Sequence, residues 1–348
     1  MTNLAELPVA IDAMGGDRAP GEIVLGARRA ADELGIPVVL VGPTDGSLGD
    51  TGDLEVIVAS EVIGMSEDAA KGVRTKKDSS LVRAAEAVRD GRACAMVSAG
   101  NTGATMASAL LRMGRLPGVA RPCIATPLPA LGDEPTVLVD AGANADCQPE
   151  WLVQFAQMGA AFYRERYGLE RPKVAMLSIG EESSKGNLLT KTTHSLLAEG
   201  ALAGDTGYEF IGNAEGRDLL AGGVNVIVTD GFTGNVALKT LEGGLRVFMN
   251  ILLEVFNTDA ETRAAGDVLF PELLRRAEPL DPENTGGAML LGLKGVCIIS
   301  HGSSSAKAIV NAARAGYDLA SHDLSGKLAA AVAAGATGRH AAARPAGV

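Results

Sequence analysis

The chain reads as an α/β protein with a mainly parallel sheet in Rossmann-like layers. Three observations predict it. Short apolar runs alternate with longer helix-period stretches from end to end. Most short runs are apolar at consecutive positions, the pattern of strands covered on both faces. Gly-rich turns carrying Ser, Thr, Asn or Asp close one strand after another.

The elements follow in order. VAID, Val9–Asp12, is a first strand that runs into Ala-Met-Gly-Gly-Asp before Pro20 and the helical pattern Ile23–Leu34. Further strands are predicted at Val38–Val41, Leu54–Val58, Ala95–Ser98, Thr136–Asp140, Lys173–Ser178, Tyr208–Ile211, Val224–Thr229 and Gly295–Ser300. Helical spacing marks Ser80–Asp90, Thr102–Met113, Trp151–Tyr167, Leu188–Ala198, Val236–Phe256 and Ala306–Ala320. Residues 1–328 are expected to form one large domain. Residues 329–348, rich in Ala and Gly with little pattern, are expected to be flexible.

Composition narrows the function. The 348 residues are 47% apolar, 21% charged and 3% aromatic, enough for a sizeable core but poor in stacking surfaces. A net charge of −11 argues against general nucleic-acid binding, which needs a basic footprint. Cys94, Cys123, Cys147 and Cys297 stand alone, without the spacing of a zinc site, and read as reduced thiols. The opening MTNLAELPVA has neither the charged start nor the apolar run of a secretory signal, so a cytoplasmic location is expected. No stretch is long enough to span a bilayer.

The turns carry the chemistry. AMVSAGNTGAT, VLVDAGANADC, AMLSIGEESSKGN, VIVTDGFTGN and CIISHGSSSAK each pass from an apolar run through a Gly-rich polar turn into a helix. Gly15-Gly16-Asp17 supplies a sixth such turn. In a parallel sheet they gather along one edge, beyond the carboxyl ends of the strands. Glycine admits close backbone approach, and helix N-termini favour anions. Such turns also simply end strands and cap helices. Six of them together favour a composite anion site.

Other motifs are missing. No GxGxxG opens a helix after the first strand, GEESSKGN lacks Walker spacing, and there is neither HExxH nor GxSxG. The run MSEDAAKGVRTKKDSSL holds Lys71, Arg74, Lys76 and Lys77 in an acidic chain. It is either a solvated face or a receiver of phosphate or an acidic partner.

With these blocks assembled, the chain resembles the bacterial phosphate acyltransferases of the PlsX family. The resemblance rests on IDAMGGDRAP, RTKKDSS, SAGNTGA, RPCIATPLP, VDAGANADCQPEWLVQFAQMG, SIGEESSKGN, FIGNAEGRD, TDGFTGNVALKTLEG and HGSSSAKAI, in that order over almost the whole length. It implies a fold related to isocitrate and isopropylmalate dehydrogenases and to phosphotransacetylases. It implies acyl transfer from acyl-acyl carrier protein to inorganic phosphate, at the start of phospholipid synthesis. It also implies a homodimer whose acyl phosphate product passes to a membrane glycerol-phosphate acyltransferase.

Thioester phosphorolysis needs few catalytic groups. Phosphate is already anionic, and a leaving thiol of pKa about 8.5 needs little acid help. The harder tasks are placing phosphate and stabilising the oxyanion. On that chemistry Lys185 is expected to hold the phosphate or neutralise its developing charge, and His301 to donate to the oxyanion or protonate the thiolate. Asn101, Thr102, Asn144, Asn235 and Ser304 line the phosphate cradle with Gly15 and Gly16, Asn235 close to the reacting centre. Asp12, Asp17 and Asp230 orient donors or cap strand ends. Lys76 and Lys77 meet the carrier protein or phosphate. No cofactor and no metal is called for, and Asp12, Asp17, Asp140 and Asp230 are not expected to meet around magnesium.

Val236–Phe256 has apolar residues at Leu238, Leu241, Leu245, Phe248 and Leu252, widened by Val247, Ile251, Leu253 and Val255. The next segment adds Val268, Leu269, Phe270, Leu273 and Leu274 beside Arg275 and Arg276. One reading is core plus dimer interface. The other is a protruding helical tip, about residues 246–278, that touches a membrane peripherally through Leu253, Phe256, Leu269, Phe270, Leu273, Arg275 and Arg276. Rival functions are a phosphotransacetylase acting on acyl-coenzyme A, a decarboxylating dehydrogenase, for which no arginine cluster is visible, and a non-enzymatic membrane scaffold.

Overall fold

Within Val9–Asp12 every residue is buried, yet the sides differ: Val9 and Ile11 join one apolar cluster and Ala10 the other. The same division repeats in its neighbours, with Leu40, Ala95 and Val97 on one face and Val39, Val41 and Met96 on the other. A strand covered on both faces therefore keeps its period of two, hidden inside a continuous apolar run.

The computed structural model describes residues 4–130, 134–203, 206–278 and 281–342. Its strands are β1 (Val9–Asp12), β2 (Val38–Gly42), β3 (Glu55–Val58), β4 (Ala95–Ser98), β5 (Cys123–Leu128), β6 (Thr136–Val139), β7 (Lys173–Leu177), β8 (Glu209–Ala214), β9 (Val226–Val228), β10 (Ala288–Leu291) and β11 (Val296–Ile299). They form one 11-stranded sheet in the order β3-β2-β1-β4-β11-β10-β5-β6-β9-β7-β8. The helices are α1 (Gly21–Leu34), α2 (Ala69–Thr75), α3 (Ser80–Arg89), α4 (Thr102–Met113), α5 (Pro149–Tyr167), α6 (Leu188–Ala203), α7 (Gly231–Phe256), α8 (Ala260–Ala277), α9 (Ala306–Ser321) and α10 (Leu324–Ala342). One face of the sheet is covered by α1, α5, α9 and α10, the other by α3, α4 and the start of α7. Helices α1 and α9 touch closely: a Cβ on Gly26 would lie 2.6 Å from the Ile309 Cβ.

The predicted α/β architecture holds, with additions. Strands β5 and β10 and helix α2 are not apparent in the sequence pattern. Pro127 obscures β5, but it extends past the end of β10 and pairs only with Val137 of β6, so its missing N–H leaves no gap in the ladder toward β10. The Ala-rich tail is helical as far as residue 342. Helix α10 runs through the expected boundary at Leu328, with Leu324, Leu328 and Val332 buried at helical spacing against the core. Alanine's helix propensity supports the rest of the turn count. Residues 343–348 of the expected flexible segment lie outside the described residues.

One expectation fails. The strand-end turns do not gather along one edge. Pairing is antiparallel at β11–β10, at β10–β5 and at β5–β6, so direction reverses across the middle of the sheet. Strands β1, β4 and β11 are parallel to each other, and β6, β9, β7 and β8 are parallel to each other but opposed to the first group. The turns after β1, β4 and β11 lie at one edge of the sheet, the upper edge. Those after β6, β7 and β9 lie at the lower edge.

Candidate active site

At the upper edge three turns are knitted together. Asp12, at the end of β1, is 2% exposed. Its Oδ2 accepts from the Ser98 hydroxyl at 2.7 Å and its Oδ1 from the Met14 N–H at 3.3 Å. Ser98 Oγ in turn accepts from the Gly100 N–H. Burial raises the Asp12 carboxyl above its ordinary range, and hydrogen bonds from Ser80, Ser98 and Met14 pull it back. The Asp17 N–H donates to the Gly302 carbonyl at 2.7 Å. A Cβ on Gly15 would sit 2.5 Å from Asp12 Oδ2 and 2.8 Å from the Gly100 nitrogen. Gly15 thus admits a neighbouring turn of the protein itself, where a ligand was expected.

Several predicted donors here are already engaged. Asn101 caps α4 through the Ala104 N–H and donates its amide to the Met65 and Glu67 carbonyls. Ser304 is buried and shares a 2.8 Å hydrogen bond with Ser300. Lys76 donates to the Val62 carbonyl and pairs with Glu67 at 2.6 Å. The N-terminus of α9 is filled by the protein's own carboxylates: Glu22 accepts from the Ala306 N–H and Glu283 from Ser305. What remains open is Thr102 at the start of α4, Lys77 without an ion pair among the described residues, and His301. The Ser303 N–H donates to His301 Nδ1 at 3.3 Å. The Ser303 hydroxyl lies 2.8 Å from the same nitrogen, so Nδ1 is engaged and Nε2 is the ring nitrogen without a partner among the described residues, on an exposed side chain.

The lower edge is built around Asp140, which is fully buried. Its Oδ1 accepts from the N–H groups of Ile124, Gly142 and Ala143, and its Oδ2 from the Asn144 N–H and amide. Burial raises this carboxyl while the donors lower it. Asn144 is consumed: its amide donates to Asp140 and to the Pro122 carbonyl, both at 2.8 Å. Asp230 caps α7, accepting from the Thr233 N–H and hydroxyl. Gly231 and Gly234 let α7 start against this turn, a Cβ on Gly234 falling 2.0 Å from the Asp140 carbonyl oxygen.

Two predicted groups stay free at this edge. Asn235 is exposed, lies against Gly142, and its amide makes no hydrogen bond among the described residues. Lys185 is exposed on the turn after β7, its stem packed on Gly180 and its ammonium without an ion pair among the described residues. Asn213 shapes that turn by donating to the Gly180 and Glu182 carbonyls. The carboxylates divide likewise, Asp12 and Asp17 above, Asp140 and Asp230 below.

Two features had no signal in the sequence pattern. One is the organising role of Asp140. The other is a groove of about 550 Å³ at the lower edge, lined by Leu110, Arg115, Ala120, Arg121, Pro122 and Trp151. Its residues come from two separate segments that only the fold brings together.

The helix pair α7–α8 extends beyond the sheet with Val247, Phe248, Ile251, Val255, Val268, Leu269 and Leu274 exposed. Phe256 and Phe270 instead meet edge to face at 6.1 Å inside the pair. Leu253 is exposed, Leu273 half-buried, and Arg275 and Arg276 both pair with Glu272 at 2.7 Å. No described helix is long and apolar enough to cross a membrane.

The fold has solved counterparts. A Streptococcus pyogenes phosphotransacetylase superposes with a TM-score of 0.59 at 19% identity, covering 91% of this chain and 95% of that one. The EutD phosphotransacetylase of Staphylococcus aureus gives 0.58 at 16% identity, over 91% and 96%. At such identities these show the fold. Sequence goes further. The model of a family described as "Fatty acid synthesis protein" matches residues 7–338. A phosphate acyltransferase of Nostoc punctiforme is 46% identical over 88% of this chain and 91% of its own length. One from Leptospira biflexa is 43% identical over 92% and 95%. The chain belongs to the phosphate acyltransferase family, a family of transferase enzymes.

Proposed function

We propose that the protein transfers a fatty acyl group from an acyl carrier protein thioester to inorganic phosphate, giving acyl phosphate for phospholipid synthesis. The observation that carries this is the set of unengaged donors at Gly-rich strand ends, Lys185, Asn235 and His301 Nε2, in a chain without an activated thiol. Burial pushes Cys94 up to about 11, Cys147 and Cys297 up to about 12, and Cys123 well above its ordinary value. Burial therefore disfavours the thiolate at each of them, which speaks for direct attack by phosphate over an acyl-cysteine step. Phosphate oxygen attacks the thioester carbonyl directly. The tetrahedral oxyanion collapses, the C–S bond breaks, and the thiolate takes a proton. Lys185 neutralises the phosphate, and Asn235 or His301 Nε2 donates to the oxyanion.

His301 and Lys185 lie at opposite edges of one sheet. The exposed apolar stripe of α7 suits a second copy of the chain, and a homodimer in which each site draws on both chains would reconcile the two edges. Exposed Val268, Leu269 and Leu274 beside Arg275 and Arg276 suit peripheral contact with an anionic membrane, near an acyltransferase that takes the product. Reversing both arginine charges is expected to weaken vesicle flotation, and unchanged flotation would remove this surface.

The deciding assay measures thiol release from long-chain acyl-carrier protein with and without phosphate, with hydroxylamine trapping of the acyl phosphate. Phosphate-dependent release with matching hydroxamate is expected. Turnover of acyl-coenzyme A alone would mean a phosphotransacetylase, and silence with both would sink the enzyme reading.

A further inference from the structure

The lower-edge groove combines features that a solvated surface does not need. Arg115 and Arg121 line it, and neither has an ion pair among the described residues of an acidic chain. The Arg121 guanidinium lies 4.9 Å above the Trp151 ring, which holds it in place without a carboxylate. The Arg115 guanidinium donates to the Ala120 carbonyl and is likewise oriented. Leu110, Pro122 and Trp151 supply apolar walls. Two oriented cations beside an apolar trough fit a ligand with one anionic end and a long, mostly uncharged body.

The groove adjoins the Asp140 turn. The Pro122 carbonyl in its wall accepts from the Asn144 amide. Asn144 shares Asp140 with Gly142, and Gly142 faces Asn235. A ligand anchored at the arginines therefore lies on the same edge of the sheet as Asn235.

We propose that this groove binds the phosphopantetheine arm of the thioester substrate. The phosphate of the arm pairs with Arg115 and Arg121, and its gem-dimethyl and amide body runs along Trp151 and Leu110. The assignment rests on the acyl-thioester reading of the function and adds where that substrate is held. Acyl carrier protein and coenzyme A share this arm, so either could present it.

Trp151 is the only tryptophan in the chain, so its fluorescence reports the groove without any turnover. The full-length protein is titrated with 4′-phosphopantetheine, with pantetheine and with inorganic phosphate. Phosphopantetheine is expected to give a saturable change, and pantetheine binds at least about tenfold more weakly for want of the charge-assisted bonds. Arg121→Gln is expected to weaken phosphopantetheine binding about tenfold or more, with Arg115→Gln as the independent second variant. Equal responses to phosphopantetheine and pantetheine would overturn the proposal, as would a response to inorganic phosphate that competes away neither arm. No change in either variant would overturn it too. The KM of Arg121→Gln is then compared for acyl-carrier protein and acyl-coenzyme A. The substrate whose KM rises is the source of the arm, and no rise with either counts against the groove. If the wild-type protein turns over neither substrate, the functional reading fails while the fluorescence result still decides the groove.

Discussion

Asp12 at the upper edge and Asp140 at the lower edge end equivalent strands, are both buried, and both have burial-raised carboxyls. Their surroundings diverge. Asp12 is bound by Ser98, from a strand 86 residues away, and the Asp17 N–H next to it reaches Gly302. Asp140 binds its own turn and the start of β5. Above, polar side chains join distant turns, and Asn101, Ser304 and Lys76 are used up in doing so. Below, backbone N–H groups saturate one carboxylate, and Lys185 and Asn235 are left over. A Gly-rich polar turn therefore reads alike in sequence whether its side chains hold the protein together or face solvent.

The largest expected effects test that division. Lys185→Ala should lower turnover on the order of 10²–10³-fold, the usual loss for one donor to a developing anion, with the thermal midpoint unchanged. Asn101→Ala should show the reverse emphasis, a loss of about 1 kcal/mol in stability from the α4 cap and a smaller loss of rate. Equal stability loss in both would erase the distinction between free and engaged donors. Mixing Lys185→Ala with His301→Ala protein should restore roughly a quarter of wild-type activity if sites are shared across a two-fold interface. No recovery after subunit exchange would place both residues in one chain's site.

Glycine substitutions sharpen the comparison at smaller scale. In Gly234→Ala the new Cβ meets the Asp140 main-chain oxygen at 2.0 Å, which cannot move without dragging β6. A loss on the order of 3 kcal/mol is expected in denaturant unfolding. In Gly15→Ala the closest atom is the Asp12 carboxylate at 2.5 Å, with the Gly100 nitrogen at 2.8 Å. A side chain yields more readily, so the loss should be roughly 2 kcal/mol. The opposite ranking would mean that the upper-edge network is the more rigid.

The parallel strands were legible because burial on both faces writes itself as Val, Ile, Leu and Ala in succession. The two strands that reverse the sheet were not. In β5, Pro127 stands inside the strand and Pro122 and Pro129 beside it, all reading as loop. In β10, four residues lie between Gly286-Gly287 and Gly292, too short for any period to register. Those are the strands that send the polar turns to two edges, so the candidate residues were recognisable while their grouping was not. Arg121 and Trp151 were invisible as a pair for a simpler reason. Nothing local couples residues 30 positions apart until α5 folds back beside the start of β5.

The smallest expected effect is a pH dependence beside the upper edge. The Asp78 carboxylate accepts from the Ser60 N–H and hydroxyl and from Arg83 Nε, tying the chain after β3 to the start of α3. These bonds, Ser60 first, hold its pKa down to about 2 from an ordinary 3.8. A depressed folded-state pKa means that the bond stabilises fully above 3.8 and is lost as pH falls from there through about 2. Asp78→Asn should therefore be less stable than wild type at neutral pH, and the gap should close across that acid window. Thermal midpoints of the two proteins against pH give the difference directly, and it cancels the titration of every other carboxylate. A gap that stays constant from neutral pH to pH about 2 would show that the asparagine keeps the Ser60 bond and that charge at residue 78 contributes nothing.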